Sequence, residues 1–373
     1  MREREAFPSV GNTLRGGLYN NSLKLGMTVV ILGSVFAEAQ QEPPPVPFPK
    51  VEQEELFLQA IEALDTGKTD TMVQLLDRAV PLDPNNPFAY VKRGQLFDLI
   101  GNNSRAVEDF SKALAYRPAF ADVYQMRGCN QFKLGNVNAA VQDWQAFLQL
   151  KPDKEAEHWQ ICVGFALLGH YEEARKRFDW HSTTNTQDLE VAFWHFLCVA
   201  RTEGLEVARE RIKSAPEEKR VPMTELHALF AGKGTEADVW LAVERGTPDK
   251  AERAKREFFA HYYLGLMRQS EGKLDEAKQS VKEALSIAKA NDGFIGDSPG
   301  GQLRGGDIAR VHLQQIDQQL TEQAAWENRG PGGAATGLAY LATGAGIILL
   351  IGYALRQQRR RDTSLELAEK SST

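Results

Sequence analysis

The chain has 373 residues, 44 Lys and Arg against 50 Asp and Glu, and a formal net charge of −6. That balance supplies no basic excess to displace phosphate counterions, which excludes nucleic acid as a main partner. Three cysteines, Cys129, Cys162 and Cys198, are an odd number without metal-site spacing; small buried thiols or a single disulfide are the readings open to them.

In chain order, scattered positive charge (Arg2, Arg4, Arg15, Lys24) precedes an uncharged stretch from Leu25 to Phe36 and then Ala37-Glu38-Ala39. This order predicts a signal peptide over 1–39 cleaved after Ala39, with an uncleaved anchor or a misplaced start codon as the alternatives. No cysteine follows the apolar stretch, so lipidation at that point is chemically excluded. Pro43, Pro44, Pro45, Pro47 and Pro49 make residues 40–52 a stiff, extended linker.

Gly67, Gly101, Gly135 and Gly169 then recur 34 residues apart, and Ala106, Ala140 and Ala174 each follow a glycine by five. A fixed period of this length predicts stacked supersecondary units. Apolar segments of helical spacing flank each glycine, which predicts a helical hairpin with the glycine in its turn, where positive φ costs a glycine least. In the unit from Pro87 to Phe120, Tyr90, Gly94 and Phe97 share one face of the first helix, and Ala106, Phe110 and Ala113 share one face of the second. Pro84, Pro118 and Pro152 keep the same period just past each second helix.

The regular units are read over 53–188. Gly204, Gly232 and Gly272 continue a loose series, giving degenerate hairpins over 189–257 and one good repeat over 258–291. A glycine-rich loop (292–306) and an amphipathic capping helix (307–328) carrying Ile308, Leu313, Ile316 and Leu320 follow. From 330 to 355 no residue is charged, and Arg356, Arg359, Arg360 and Arg361 come directly after. This predicts one transmembrane helix with a cytoplasmic tail (356–373) and the repeats outside the cytoplasm. Ala335, Ala339, Ala342 and Gly346 form a small-residue seam where a second membrane helix could pack, which leaves a homodimer open.

Seven histidines are dispersed through different units, with no metal-binding helix motif, serine elbow or phosphate loop beside them. The reading is therefore a non-enzyme with no catalytic residue, metal or cofactor.

The pattern of aromatic, glycine, aromatic, glycine, alanine, phenylalanine, alanine and proline resembles the tetratricopeptide repeat family. The resemblance implies an all-α helical-hairpin solenoid and a concave groove lined by positions 2, 5, 9, 12 and 13 of each unit. Those positions give a candidate protein- or peptide-binding groove of Phe88, Val91, Gln95, Asp98, Leu99, Gln125, Phe132, Lys133, Trp159 and Val163. Phe88, Phe132 and Trp159 are its leading contacts. Phe57, Ile61 and Met126 stand where chaperone-binding members carry a Lys/Asn clamp.

Phe193-Trp194-His195-Phe196-Leu197, the hairpin at Glu225 and Gly232-Lys233-Gly234, and His261-Tyr262-Tyr263-Leu264-Gly265 resemble bacterial periplasmic repeat proteins of the NlpI type. That implies an adaptor recruiting envelope proteases or peptidoglycan hydrolases, single-pass in the cell membrane with its repeats periplasmic or extracellular. The alternatives are a self-assembling or wall-associated structural subunit and, more remotely, a metal-dependent hydrolase.

Overall fold

The structure is a computed structural model and describes residues 50–184, 188–212, 218–291 and 303–327. The chain divides into two units, Met1–Val46 and Pro47–Thr373. All described residues belong to the second. The signal peptide, most of the proline-rich linker, most of the glycine-rich loop, the 330–355 segment with Ala335, Ala339, Ala342 and Gly346, and the tail lie outside the described residues.

The described residues form α-helices and short 3-10 turns and contain no strand. Four hairpins come first: α1 (Val51–Asp65) with α2 (Thr69–Ala79), α3 (Pro87–Leu99) with α4 (Asn103–Tyr116), α5 (Ala121–Lys133) with α6 (Val137–Leu150), and α7 (Trp159–Leu167) with α8 (Tyr171–Thr184). Shorter pairs follow, α9 (Leu189–Thr202) with α10 (Leu205–Arg211) and α11 (Met223–Phe230) with α12 (Glu236–Glu244). A long pair, α13 (Lys250–Ser270) and α14 (Leu274–Ala290), and a last helix, α15 (Gly305–Glu327), complete the series.

The turn glycines explain the hairpins. Gly67, Gly101, Gly135 and Gly169 have φ between +71° and +84°. Each is followed by an N–H that donates five residues back, Lys68 to Ala63, Asn102 to Phe97, Asn136 to Gln131 and His170 to Phe165. This is the helix-ending motif that needs a left-handed residue. Gly232 and Gly272 repeat it, with Lys233 donating to Ala228 and Lys273 to Arg268. Gly204 departs from the series: at φ 102° and ψ 161° it precedes α10 as its N-cap instead of closing α9 by this bond.

Small residues set how closely the paired helices meet. A Cβ on Gly94 would lie 2.8 Å from the Phe110 ring, one on Gly128 2.6 Å from Trp144 Nε1, and one on Gly265 2.7 Å from Val281. Arginines at a 34-residue interval lock the same units. Arg93 donates two hydrogen bonds to the Asp109 carboxylate at 2.7 Å each, and Arg127 does the same to Asp143 at 2.9 and 2.6 Å. Planar forks of this kind fix geometry as well as charge.

The buried apolar residues fall into two clusters. One lies under α1–α4 and reaches Val123; the other runs from Ala121 through α14 to Ile316. The helix that carries the repeat read from Phe258 begins earlier than the repeat itself, because Asp249 accepts the Glu252 N–H at 2.8 Å and α13 begins at Lys250. In the irregular region α9 packs directly against α13 and α11. The last helix, α15, packs on α14 and also reaches back to α5.

Candidate protein-binding groove

The candidate groove residues lie on the first helices α3, α5 and α7, and the structure sorts them by exposure. Gln95 is exposed; Phe88, Leu99, Gln125 and Trp159 are half-buried; Val91, Asp98, Phe132, Lys133 and Val163 are buried. Phe132 is a packing residue, its ring 5.9 Å from that of Trp144 and fully enclosed. The close approach of α5 and α6 at Gly128 turns it into the core, so it offers no face to a partner. Val163, 1 % exposed, likewise joins the core.

Phe88 lies at the junction of the second and third hairpins, 5.2 Å from Phe120 and with the Arg117 guanidinium 5.8 Å from its centroid. Gln95 Nε2 reaches Met126 Sδ at 3.5 Å across the same junction. With half-buried Leu99, Gln125 and Trp159, these residues make the accessible part of the face.

Beneath it lies a polar floor. Lys133 Nζ donates to Asp98 Oδ1 at 2.7 Å, and the two side chains are 1 % and 3 % exposed. A pair this deep is costly to bring out of water, so it fixes the register of α3 against α5 more than it adds stability. Further along, His158 Nδ1 accepts the Ile161 N–H at 3.3 Å and so caps α7. Its other nitrogen must then carry the proton, and Nε2–H donates to Gln125 Oε1 at 2.6 Å. Burial pushes the His158 imidazole down to about 4, which keeps it neutral for this role.

All three cysteines are free, buried and on first helices, α5, α7 and α9. Burial pushes the Cys129 and Cys162 thiols up to about 12 and Cys198 well above its ordinary value, so none is a ready nucleophile. Among the described residues no group of three or more His, Cys, Asp and Glu is placed to hold a metal ion, and no helix is long and apolar enough to cross a membrane.

The aromatic tract of α9 also points inward. Phe193 stacks on Phe230 at 4.4 Å and meets Tyr263 at 4.8 Å, and Phe196 meets Phe230 edge-on at 4.9 Å. Tyr263 Oη donates to Glu190 at 2.9 Å, and Glu190 also pairs with Arg220. Burial and the neighbouring Glu190 carboxylate hold the Tyr263 phenol well above its ordinary value.

None of the groove positions read from the sequence lies on α15, yet this helix meets the same side of the array. Arg310 donates to the Lys133 carbonyl, Gln314 Oε1 sits 2.8 Å from where a Gly135 Cβ would be, and Gln319 lies beside Tyr171. Ile308, Ala309, Val311, Leu313 and Ile316 occupy more of the circumference of α15 than one apolar stripe needs. That surplus is the signal that the helix is covered on more than one side.

Residues 260–291 match the tetratricopeptide repeat family model. The chain carries a tetratricopeptide repeat there, and its regular hairpins share that unit's glycine turn and close helix approach. Among solved structures, a tetratricopeptide repeat protein from Parabacteroides merdae is 16% identical with a TM-score of 0.45, over 72% of this chain and 99% of that one. The pilF protein of Pseudomonas aeruginosa is 14% identical with a TM-score of 0.35, over 63% and 91%. YrrB, described as having an unusual peptide-binding site, is 15% identical with a TM-score of 0.34, over 57% and 91%.

Proposed function

We propose that this tetratricopeptide repeat chain is a non-catalytic scaffold, tethered to a membrane through residues 330–355, that binds protein or peptide segments on the face made by its first helices. The observation that carries the reading is the junction of the second and third hairpins. There Phe88 and Gln95 stay accessible over an enclosed Asp98–Lys133 pair, and the Gln95 amide rests on half-buried Met126. Aromatic and amide side chains on a rigid floor provide a contact surface with little entropy to lose on binding.

The tether and an extracytoplasmic location are supported by the uncharged stretch and the arginines after it. Recruitment of an envelope protease or peptidoglycan hydrolase is the client class that the NlpI-type resemblance favours. A second reading, self-assembly, is favoured by Val51, Leu58 and Ile61, which stand 85 %, 61 % and 43 % exposed along α1.

A photo-reactive amino acid placed at Gln95 and, separately, at exposed Trp180 on α8 tests the assignment in cells. Adducts to a hydrolase at position 95 but not at 180 are expected. Equal adducts at both positions would defeat it, and adducts only to a second copy would favour self-assembly. Protease added to spheroplasts should remove the repeats and spare the tail after 356.

A further inference from the structure

A terminal helix in a repeat array ordinarily covers the last unit and touches nothing further back. In this chain α15, 23 residues long, does more. It covers α14, with Lys278 paired to Asp317 at 2.7 Å, and it also reaches the third hairpin, where Arg310 donates to the carbonyl of Lys133, 177 residues away. Between these ends His312, fully buried, lies 5.2 Å from Trp194 of α9 and 5.8 Å from Tyr262 of α13. The helix therefore lies along the face made by first helices of the third, fifth and seventh hairpins.

The seat it occupies is polar and incompletely satisfied. His312 Nε2–H donates to Gln269 Oε1 at 2.8 Å, and Gln269 Nε2 reaches Gln319 at 3.4 Å. His312 Nδ1 and the Tyr262 hydroxyl are both buried without a hydrogen-bond partner. The Tyr262 hydroxyl belongs to the seat and carries a desolvation cost that a better-matched occupant would relieve, while His312 Nδ1 belongs to α15 and regains water when that helix leaves. Apolar packing at Ala309, Val311 and Ile316, all fully buried, supplies the attraction.

The geometry points to α15 as a ligand built into the chain: the face made by first helices of the third, fifth and seventh hairpins is a receptor for one amphipathic helix, and α15 keeps it closed until a partner helix with the same pattern of buried residues displaces it. The inference rests on the first-helix face being the binding surface. It adds that the partner's recognition element is an amphipathic helix and that the free protein is self-inhibited over this stretch.

Two measurements on the full chain in detergent decide it. Hydrogen exchange of the wild type should show amides 309–316 of α15 exchanging at least ten-fold faster than amides 262–269 of α13, since a displaceable helix opens without the array unfolding. Equal rates overturn the proposal, because α15 is then a permanent part of the fold. A fluorescein-labelled peptide of residues 303–327 should bind a Val311→Asp chain at least ten-fold more tightly than the wild type, whose seat is filled, while a scrambled peptide binds neither. A folded Val311→Asp chain that shows no gain also overturns it, and if that variant fails to fold, the exchange rates alone decide between the outcomes. Position 95 lies outside this seat, so failure here leaves the crosslinking result at Gln95 standing.

Discussion

In the hairpins from α1 to α8 the same glycine turn recurs at the same interval, and α3 to α6 add a shared close approach and clamp, whereas from α9 to α15 large aromatics take over. Gly94 and Gly128 let α3 and α5 approach their partners, and Arg93 and Arg127 clamp Asp109 and Asp143 one repeat apart. In the second region the hairpins shorten to helices of seven to nine residues, α10 to α12, and Phe193, Phe196, Phe230 and Tyr263 fill the volume between elements that are not neighbours in sequence. A periodic array needs only nearest-neighbour packing, and its stability is close to a sum over units. Once the period lapses, packing becomes three-dimensional, and a single side chain serves several helices.

That contrast can be broken most directly by removing one large ring from each region. Trp144→Ala and Phe193→Ala should each cost about 3–5 kcal/mol, as both rings are fully buried. Loss of hydrogen-exchange protection after Trp144→Ala should stay within α5–α8, while after Phe193→Ala it should appear together in α9, α11 and α13. Identical patterns would remove the distinction.

The Asp98–Lys133 pair sharpens the regular side. Lys133→Met leaves a buried carboxylate unpaired and should cost about 3 kcal/mol or more in urea unfolding. Adding Asp98→Leu should recover most of that loss. A double variant no more stable than the single one would mean that the pair itself, and not the orphaned charge, stabilises the junction.

Each region also holds a buried neutral histidine, His158 pushed down to about 4 and His312 to about 3 by burial. Both values lie below the unfolded value of about 6.5, so in mild acid the unfolded chain binds protons that the folded chain does not. Stability is therefore full above that value and falls as pH drops through it toward 4 for His158 and 3 for His312, by on the order of 3 and 5 kcal/mol respectively. Urea midpoints at about pH 7 and pH 4.5 should show the fall, and His158→Asn or His312→Leu should each reduce it. An undiminished fall in both variants would assign acid sensitivity to carboxylates.

The smallest effect concerns the turns. Gly67→Ala meets nothing within 4 Å but must hold φ near +71°, so it should cost about 1 kcal/mol. A thermal midpoint unchanged from the wild type would show that the first turn relaxes freely.

The hairpins were legible because their causes are local. The glycine that ends a helix, the alanine five residues on, and the small residue opposite an aromatic all lie within one unit, so spacing alone displays them. The Arg93 and Arg127 clamps have the same local character, each with an aspartate sixteen residues later, but the groove positions were only half legible. Position in a repeat assigns a side of a helix and does not say how deep a residue sits: Gln95 is exposed and Phe88 half-buried, whereas Phe132 went to the core because Trp144 lies against it. Gly204 shares the loose spacing of the turn glycines yet caps the following helix, since the residues around it do not make the five-back hydrogen bond.

By itself the sequence determined that the described chain is a series of helical hairpins with glycine turns, cysteines on first helices and a final amphipathic helix. Each of those follows from interactions among residues close along the chain. Only the tertiary structure decided what the final helix lies against. Apolar spacing announces that a helix has a side to bury, and it carries no address for the surface that buries it. That address was set by Arg310 meeting Lys133 and His312 meeting Trp194 and Tyr262, contacts between distant residues that form once the hairpins have stacked.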